Sequence, residues 1–258
     1  MPHRSKLKRQ PAVPKGTLHQ LGALHIPHVG DRICRVFVPG SGNDRKPRPV
    51  LVMWDGQNVF DDEGSYAGGW HVHRAVSTRA RRGDRAPVVV AIDNGGMQRG
   101  RELSPWHRAG SLTGPLLDWI EAKLLPRIAS DFGASIAARD VAIGGSSLGG
   151  LNALYAYLTR PHTFGAAIAM SPSLWASGER MFHLAAHSHH SGGSRLYIDC
   201  GGKEGGGSMA LHAEKIVHML HGRGWNGHHL MWRFVKSGKH HEKYWRARMP
   251  KALKFLYG

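Results

Sequence analysis

Apolar residues along this chain fall into two kinds of run. Short continuous ones, 49–54 and 86–92, have the character of central strands buried on both faces of a parallel sheet, while 33–38 alternates apolar with polar. Further short apolar runs at 141–143, 166–170, 195–199 and 229–235 extend the series of strands. Between them, stretches near 70–80, 114–131, 148–159, 208–223 and 241–256 carry apolar residues at helical spacing; Leu116, Leu117, Ile120, Leu124 and Ile128 form one stripe. Strands alternating with helices predict an α/β chain with a mostly parallel central sheet covered on both faces. The pattern shows no internal repeat and no linker. Its one irregular region, 172–194, contains His187-Ser-His-His-Ser-Gly-Gly193 and reads equally well as a lid or as a surface loop.

A length of 258 residues suits a single domain, expected over 18–258, after a basic tail over 1–17 that reads as disordered. The excess of 35 Lys and Arg over 18 Asp and Glu gives a net charge of +17, enough to attract polyanions without specificity. The basic residues are scattered and no recognised nucleic-acid module appears, so no specific nucleic-acid partner is expected. No run approaches the roughly 20 apolar residues of a membrane span, and the basic tail lacks the apolar segment of a secretory signal; the expectation is a cytoplasmic protein without membrane association. Cys34 and Cys200, the only cysteines, give no disulfide framework and read as buried thiols.

The candidate chemistry centres on Ser147. It stands in Gly144-Gly-Ser-Ser-Leu-Gly-Gly150, between the strand at 141–143 and the helical run from 148. Strand, glycine-flanked serine and helix describe a nucleophile elbow, a sharp turn that projects the serine hydroxyl into a cleft. The helix that follows aims its amide dipoles at the serine, and the Leu148 amide becomes a candidate oxyanion donor. The loop after an early strand, Asp55-Gly-Gln-Asn58, offers a second donor from the amide of Gln57 or Asn58.

A serine hydroxyl needs a base, and the base an orienting carboxylate. The glycine-rich loop after 195–199 offers Asp199 and Glu204; Glu204 is favoured because its loop gives it reach. The loop after 229–235 offers His240 and His241, which local geometry does not separate. Asn58, Trp106 and Trp175 are the candidate substrate-lining residues, and Trp70 shares the Trp106 and Trp175 pattern of a motif loop. Arg99 and Glu102 read as an ion pair beneath the cleft. His71-Val-His73, His189-His190 and His228-His229 lack acids at ligand spacing and read as surface or helix-face residues, so no metal is expected.

Taken together, Trp54-Asp-Gly-Gln-Asn-Val-Phe-Asp61, Ile92-Asp-Asn-Gly-Gly96, Arg99 with Glu102-Leu-Ser-Pro-Trp106, Gly144 to Gly150, Ser171-Pro-Ser-Leu-Trp175 and Gly238 to Pro250 give the chain a resemblance to the putative-esterase family of α/β hydrolases, which includes enterochelin-esterase-like and feruloyl-esterase-like enzymes. The resemblance spans about residues 50–250. It implies the α/β-hydrolase fold without a separate large cap domain. The family's final motif, roughly Gly-x-x-His-x-Glu-x-x-Trp, registers on Glu242 and Trp245 and so selects His240, with one residue fewer after Gly238. The family's acid falls on Gly201 to Glu204.

The reading is a serine carboxylic-ester hydrolase acting on a small-molecule ester, with Ser147, His240 and Glu204 as the triad, Gln57 and Leu148 as oxyanion donors, and no cofactor. Two alternatives accompany it: an acyltransferase using the same triad, and a noncatalytic polyanion-binding module on the same fold.

Overall fold

The computed structural model describes residues 16–40 and 47–258. The expected tail lies outside the described residues up to position 15, and its last two positions, Gly16 and Thr17, already belong to a strand. The elements run β1 (Gly16–Ile26), β2 (Gly30–Pro39), β3 (Val50–Met53), α1 (Val72–Arg81), β4 (Val88–Ile92), α2 (Arg99–Leu103), α3 (Thr113–Trp119), α4 (Leu125–Phe132), β5 (Val141–Ser146), α5 (Leu148–Thr159), β6 (Ala166–Met170), α6 (Arg180–His187), β7 (Arg195–Gly201), α7 (Ser208–Gly222), β8 (Leu230–Val235) and α8 (Glu242–Tyr257).

The strands form one eight-stranded sheet in the order β1-β2-β4-β3-β5-β6-β7-β8. From β4 to β8 every neighbouring pair is parallel; β2 joins β4, and β1 joins β2, antiparallel. This is the α/β-hydrolase fold that the sequence led us to expect. β1 was not foreseen, and its composition explains why: it carries Thr17, His19, Gln20 and His25 on an edge strand whose positions are mostly exposed.

The period of two along each strand divides the core in two. Val50 and Val52 of β3, with Val88, Val90 and Ile92 of β4, pack beneath α2 to α7. Leu51, Met53, Val89 and Ala91 point the other way, onto Val72 and Val76 of α1 and Trp245, Met249 and Leu253 of α8. The apolar stripe from Leu116 to Ile128 is buried against the first face. Its helix is continuous but passes through a π turn over 120–124, just before Pro126, a residue with no amide to offer the helix ladder. The irregular region 172–194 contains α6, whose Met181, Phe182 and Ala185 are buried, so its middle is part of the packed layer. Among the described residues, no helix is long and apolar enough to cross a membrane. Cys34 and Cys200 are both free and buried.

Candidate active site

Parallel strands bring their carboxyl ends to one edge of the sheet, and the loops that leave that edge can meet there. Ser147 follows β5 with φ 57° and ψ −123°, a backbone that few residues with a side chain adopt. The turn is held from both sides: the Ser147 amide donates to the Met170 carbonyl at 3.1 Å, and its carbonyl accepts from Ser173 at 2.9 Å and from Leu151 at 3.0 Å. Close approach requires glycine at 145 and leaves little room for a side chain at 149. A Cβ on Gly145 would stand 2.7 Å from the carbonyl carbon of Gly149, and one on Gly149 would stand 3.2 Å from Cβ of Trp54. The Ser147 hydroxyl lies 3.1 Å from that of Ser173.

Ser147 opens on a cleft of about 480 Å³ that is also lined by Asp55, Gln57, Asn58, Asn94, Arg99 and His240. Glu204 lies behind His240, with Oε2 2.9 Å from Nδ1, and its side chain is fully buried while that of His240 is 35% exposed. Burial alone would raise the Glu204 pKa. Hydrogen bonds from His240 and Ser171 and the charge of Arg248 outweigh it and hold the carboxyl below its ordinary value. His241 also lines the cleft, but its Nδ1 accepts the Lys243 amide at 3.2 Å and caps α8. Asp199 is buried with its Oδ2 on the Tyr197 hydroxyl at 2.8 Å and an oxygen 3.4 Å from Arg248. Its environment lifts its pKa from about 3.8 to about 6, burial being the main cause.

The Asn58 amide donates to the Asp55 carbonyl at 2.8 Å and is thereby spent on the turn, whereas no backbone acceptor among the described residues takes the amides of Gln57 or Leu148. Asn58 is among the residues lining this cleft, its Oδ1 accepting the Tyr66 amide at 3.0 Å, and the two candidate tryptophans are not. Trp106 packs edge-on against Tyr155, ring centroids 5.3 Å apart, and Trp175 is 65% exposed. Trp70 is buried against Trp245.

Arg99 and Glu102 do not pair with each other. Arg99 binds both oxygens of Asp55, at 2.6 and 2.9 Å, and Glu102 is the buried partner of Arg32. Asn94 adds a third hydrogen bond to Asp55 at 2.6 Å. Burial works against the Arg99 charge, but the hydrogen bonds and charge of Asp55 outweigh it and raise the guanidinium pKa further. Arg99 and Asp55 therefore line the cleft as a compensated ion pair. Sequence reasoning also passed over Trp245 and Arg248 as site residues; the signal was their spacing on α8 just after His240, three residues apart and so on one face. Among the described residues, no three His, Cys, Asp or Glu side chains come together as metal ligands.

The chain matches the family model described as Putative esterase over residues 30–256. It is 25% identical over 255 residues to the uncharacterized protein YbbA of Bacillus subtilis, covering 92% of this chain and 97% of that one. It is 26% identical over 229 residues to an iron(III) enterobactin esterase of Escherichia coli, covering 84% of this chain. The chain spans about half the length of that enzyme, 52%. In fold it superposes on the siderophore hydrolase EstA from Aspergillus nidulans with a TM-score of 0.75 at 18% identity, covering 99% of this chain and 98% of that one. The chain belongs to the Putative esterase family and is an esterase of the α/β-hydrolase fold.

Proposed function

We propose that the protein is a serine carboxylic-ester hydrolase in which Ser147 is the nucleophile, His240 the base and Glu204 the acid that orients it. The observation that carries this reading is the 2.9 Å hydrogen bond between His240 Nδ1 and buried Glu204, with His240 and Ser147 on the wall of one cleft. A carboxylate on Nδ1 places the Nδ1 proton and leaves Nε2 as a base. Nε2 takes the Ser147 proton as the hydroxyl oxygen attacks the ester carbonyl. The Leu148 and Gln57 amides hold the developing oxyanion. His240 then hands the proton to the leaving alcohol, and water, activated in the same way, releases the acid from Ser147.

The lining is mixed, with apolar surface from Ala67 and Trp245 beside the polar groups. Gln57, Asn58, Asn94 and Arg99 present amide and guanidinium groups, and Tyr66 an aromatic one. Esters of iron-chelating siderophores, named for several relatives, are the first substrate class to examine. The described residues from Gly16 onward are read as one domain acting without cofactor.

The test is turnover of a p-nitrophenyl ester series from acetate to decanoate, and of a catecholate lactone, by wild type and Ser147→Ala. Ser147-dependent hydrolysis is expected. Hydrolysis that survives the substitution would refute the reading.

A further inference from the structure

The mechanism asks that Glu204 be ionised and aimed, and Ser171 is the residue that secures both. Glu204 is 1% exposed. Its Oε2 faces His240, while Oε1 accepts the Gly201 amide at 2.8 Å and the Ser171 hydroxyl at 2.9 Å, with Arg248 Nη2 at 3.5 Å. Ser171 follows β6 at φ 43° and is itself fully buried. Two further groups converge on its oxygen: Trp245 Nε1 at 3.0 Å and Arg248 Nη2 at 3.0 Å. An indole N–H and a guanidinium only donate. With both lone pairs of the Ser171 hydroxyl so occupied, its one proton has one acceptor within reach, Glu204 Oε1.

The consequence passes to the base. Oε1 receives a backbone N–H and a hydroxyl, so a proton on Glu204 would have to sit on Oε2 and displace the Nδ1 proton of His240. We infer that Ser171, its lone pairs filled by Trp245 and Arg248, is a positioning residue that fixes Glu204 as a carboxylate and thereby holds His240 in the tautomer with Nε2 free toward Ser147. This rests on the ester-hydrolase reading above.

The supports of Ser171 are themselves anchored. Trp245 and Arg248 lie one turn apart on α8, and the Trp245 ring also meets His240 edge-on at 4.9 Å. Arg248 Nη1 lies 3.4 Å from Asp199, whose other oxygen takes the Tyr197 hydroxyl. The titratable groups facing Glu204 are His240 after β8, Arg248 on α8, and Asp199 and Cys200 on β7. Arg248 is the permanent cation among them, and it reaches Glu204 chiefly through the Ser171 oxygen, which it approaches more closely than it does the carboxylate.

Ser171→Gly tests the role, because glycine adopts the positive φ freely while the hydroxyl is lost. The expected result is kcat lower by about tenfold with KM within about twofold, and an acid limb of kcat/KM moved to higher pH, since Glu204 loses a donor that favours its charged form. In a Glu204→Ala background the same substitution should add nothing. Unchanged kcat and acid limb, or full additivity, would overturn the role. Ser171→Cys, nearly isosteric and a weak donor, should shift the limb in the same direction should the glycine variant prove unstable. A readout independent of turnover is the downfield proton resonance of His240 Nδ1, identified by its absence from His240→Ala. Its loss or broadening in Ser171→Gly is expected; its persistence unaltered overturns the positioning role and leaves the hydrolase reading intact. Ester turnover retained in Ser147→Ala removes both.

Discussion

Arg99 and Asp55 meet in a two-pronged ion pair, Nε to Oδ1 at 2.6 Å and Nη2 to Oδ2 at 2.9 Å, that ties α2 to the loop after β3. The pair holds the turn that carries Gln57, and both of its members line the cleft that Ser147 opens on, so losing Arg99 would leave the Asp55 carboxylate uncompensated there. Arg99→Met, which keeps length and removes charge, should lower kcat/KM by about a hundredfold, the size of a lost oxyanion contact. Combining it with Asp55→Asn should cost little more than either change alone, because the two act as one unit. Steady-state kinetics on the four proteins of that cycle decides it.

The two adjacent histidines should separate cleanly. His240→Ala is expected to lose about a thousandfold or more in kcat, and His241→Ala, which removes a helix cap and one residue of the cleft wall but not the contact to Glu204, only a few-fold. Equal losses would mean that the Glu204 contact does not define the base.

The two buried acids should affect stability with opposite sign. Glu204 is held below its ordinary value near 4.5, so its contribution is present above that value and is lost as pH falls through the folded pKa. Asp199 is raised from about 3.8 to about 6, so its contribution is present below the lower value and is lost as pH rises through the higher one. Urea midpoints from about pH 3 to about pH 8 for wild type, Glu204→Gln and Asp199→Asn test this. The advantage of wild type over Glu204→Gln should shrink on acidification, and its advantage over Asp199→Asn should shrink as pH rises toward 6.

Gly145→Ala should be the most damaging single methyl group in the elbow. Its Cβ would fall 2.7 Å from backbone carbon, where nothing flexible can yield. Overpacking of this kind costs about 1–3 kcal/mol, and a chemical denaturation curve measures it.

The sheet was legible in the sequence because β3 and β4 are buried on both faces and therefore read as unbroken apolar runs. β1 was not, since an exposed edge strand carries no such signature. α6 escaped notice for a related reason: Pro172, Gly178 and the histidines around it mask a buried stripe of only three residues, Met181, Phe182 and Ala185. Ser147 and the loop of His240 could be placed from their position after strands, and the side chain of Glu204 reaches His240 as its loop suggested. The Arg99 partner could not be read. Asp55 lies 44 positions away, and the two meet only because β3 and β4 are neighbours in the sheet, a fact of pairing and not of local pattern. Trp106 and Trp175 stand in motif loops but are not among the residues that line the Ser147 cleft.

Asp55, Ser147 and Ser171 share one property: each is a non-glycine residue held at positive φ, and they follow β3, β5 and β6, three adjacent strands. Such conformations cost about 1–3 kcal/mol apiece and persist only while the surrounding packing enforces them. The carboxyl edge of the sheet thus behaves as a loaded spring compressed by the core beneath it. On warming, that edge should relax before the core lets go, so catalytic competence should fade several degrees below the temperature at which circular dichroism reports loss of the fold. The margin between those two temperatures is a direct reading of how much of the molecule's cohesion is spent on holding its serine upright.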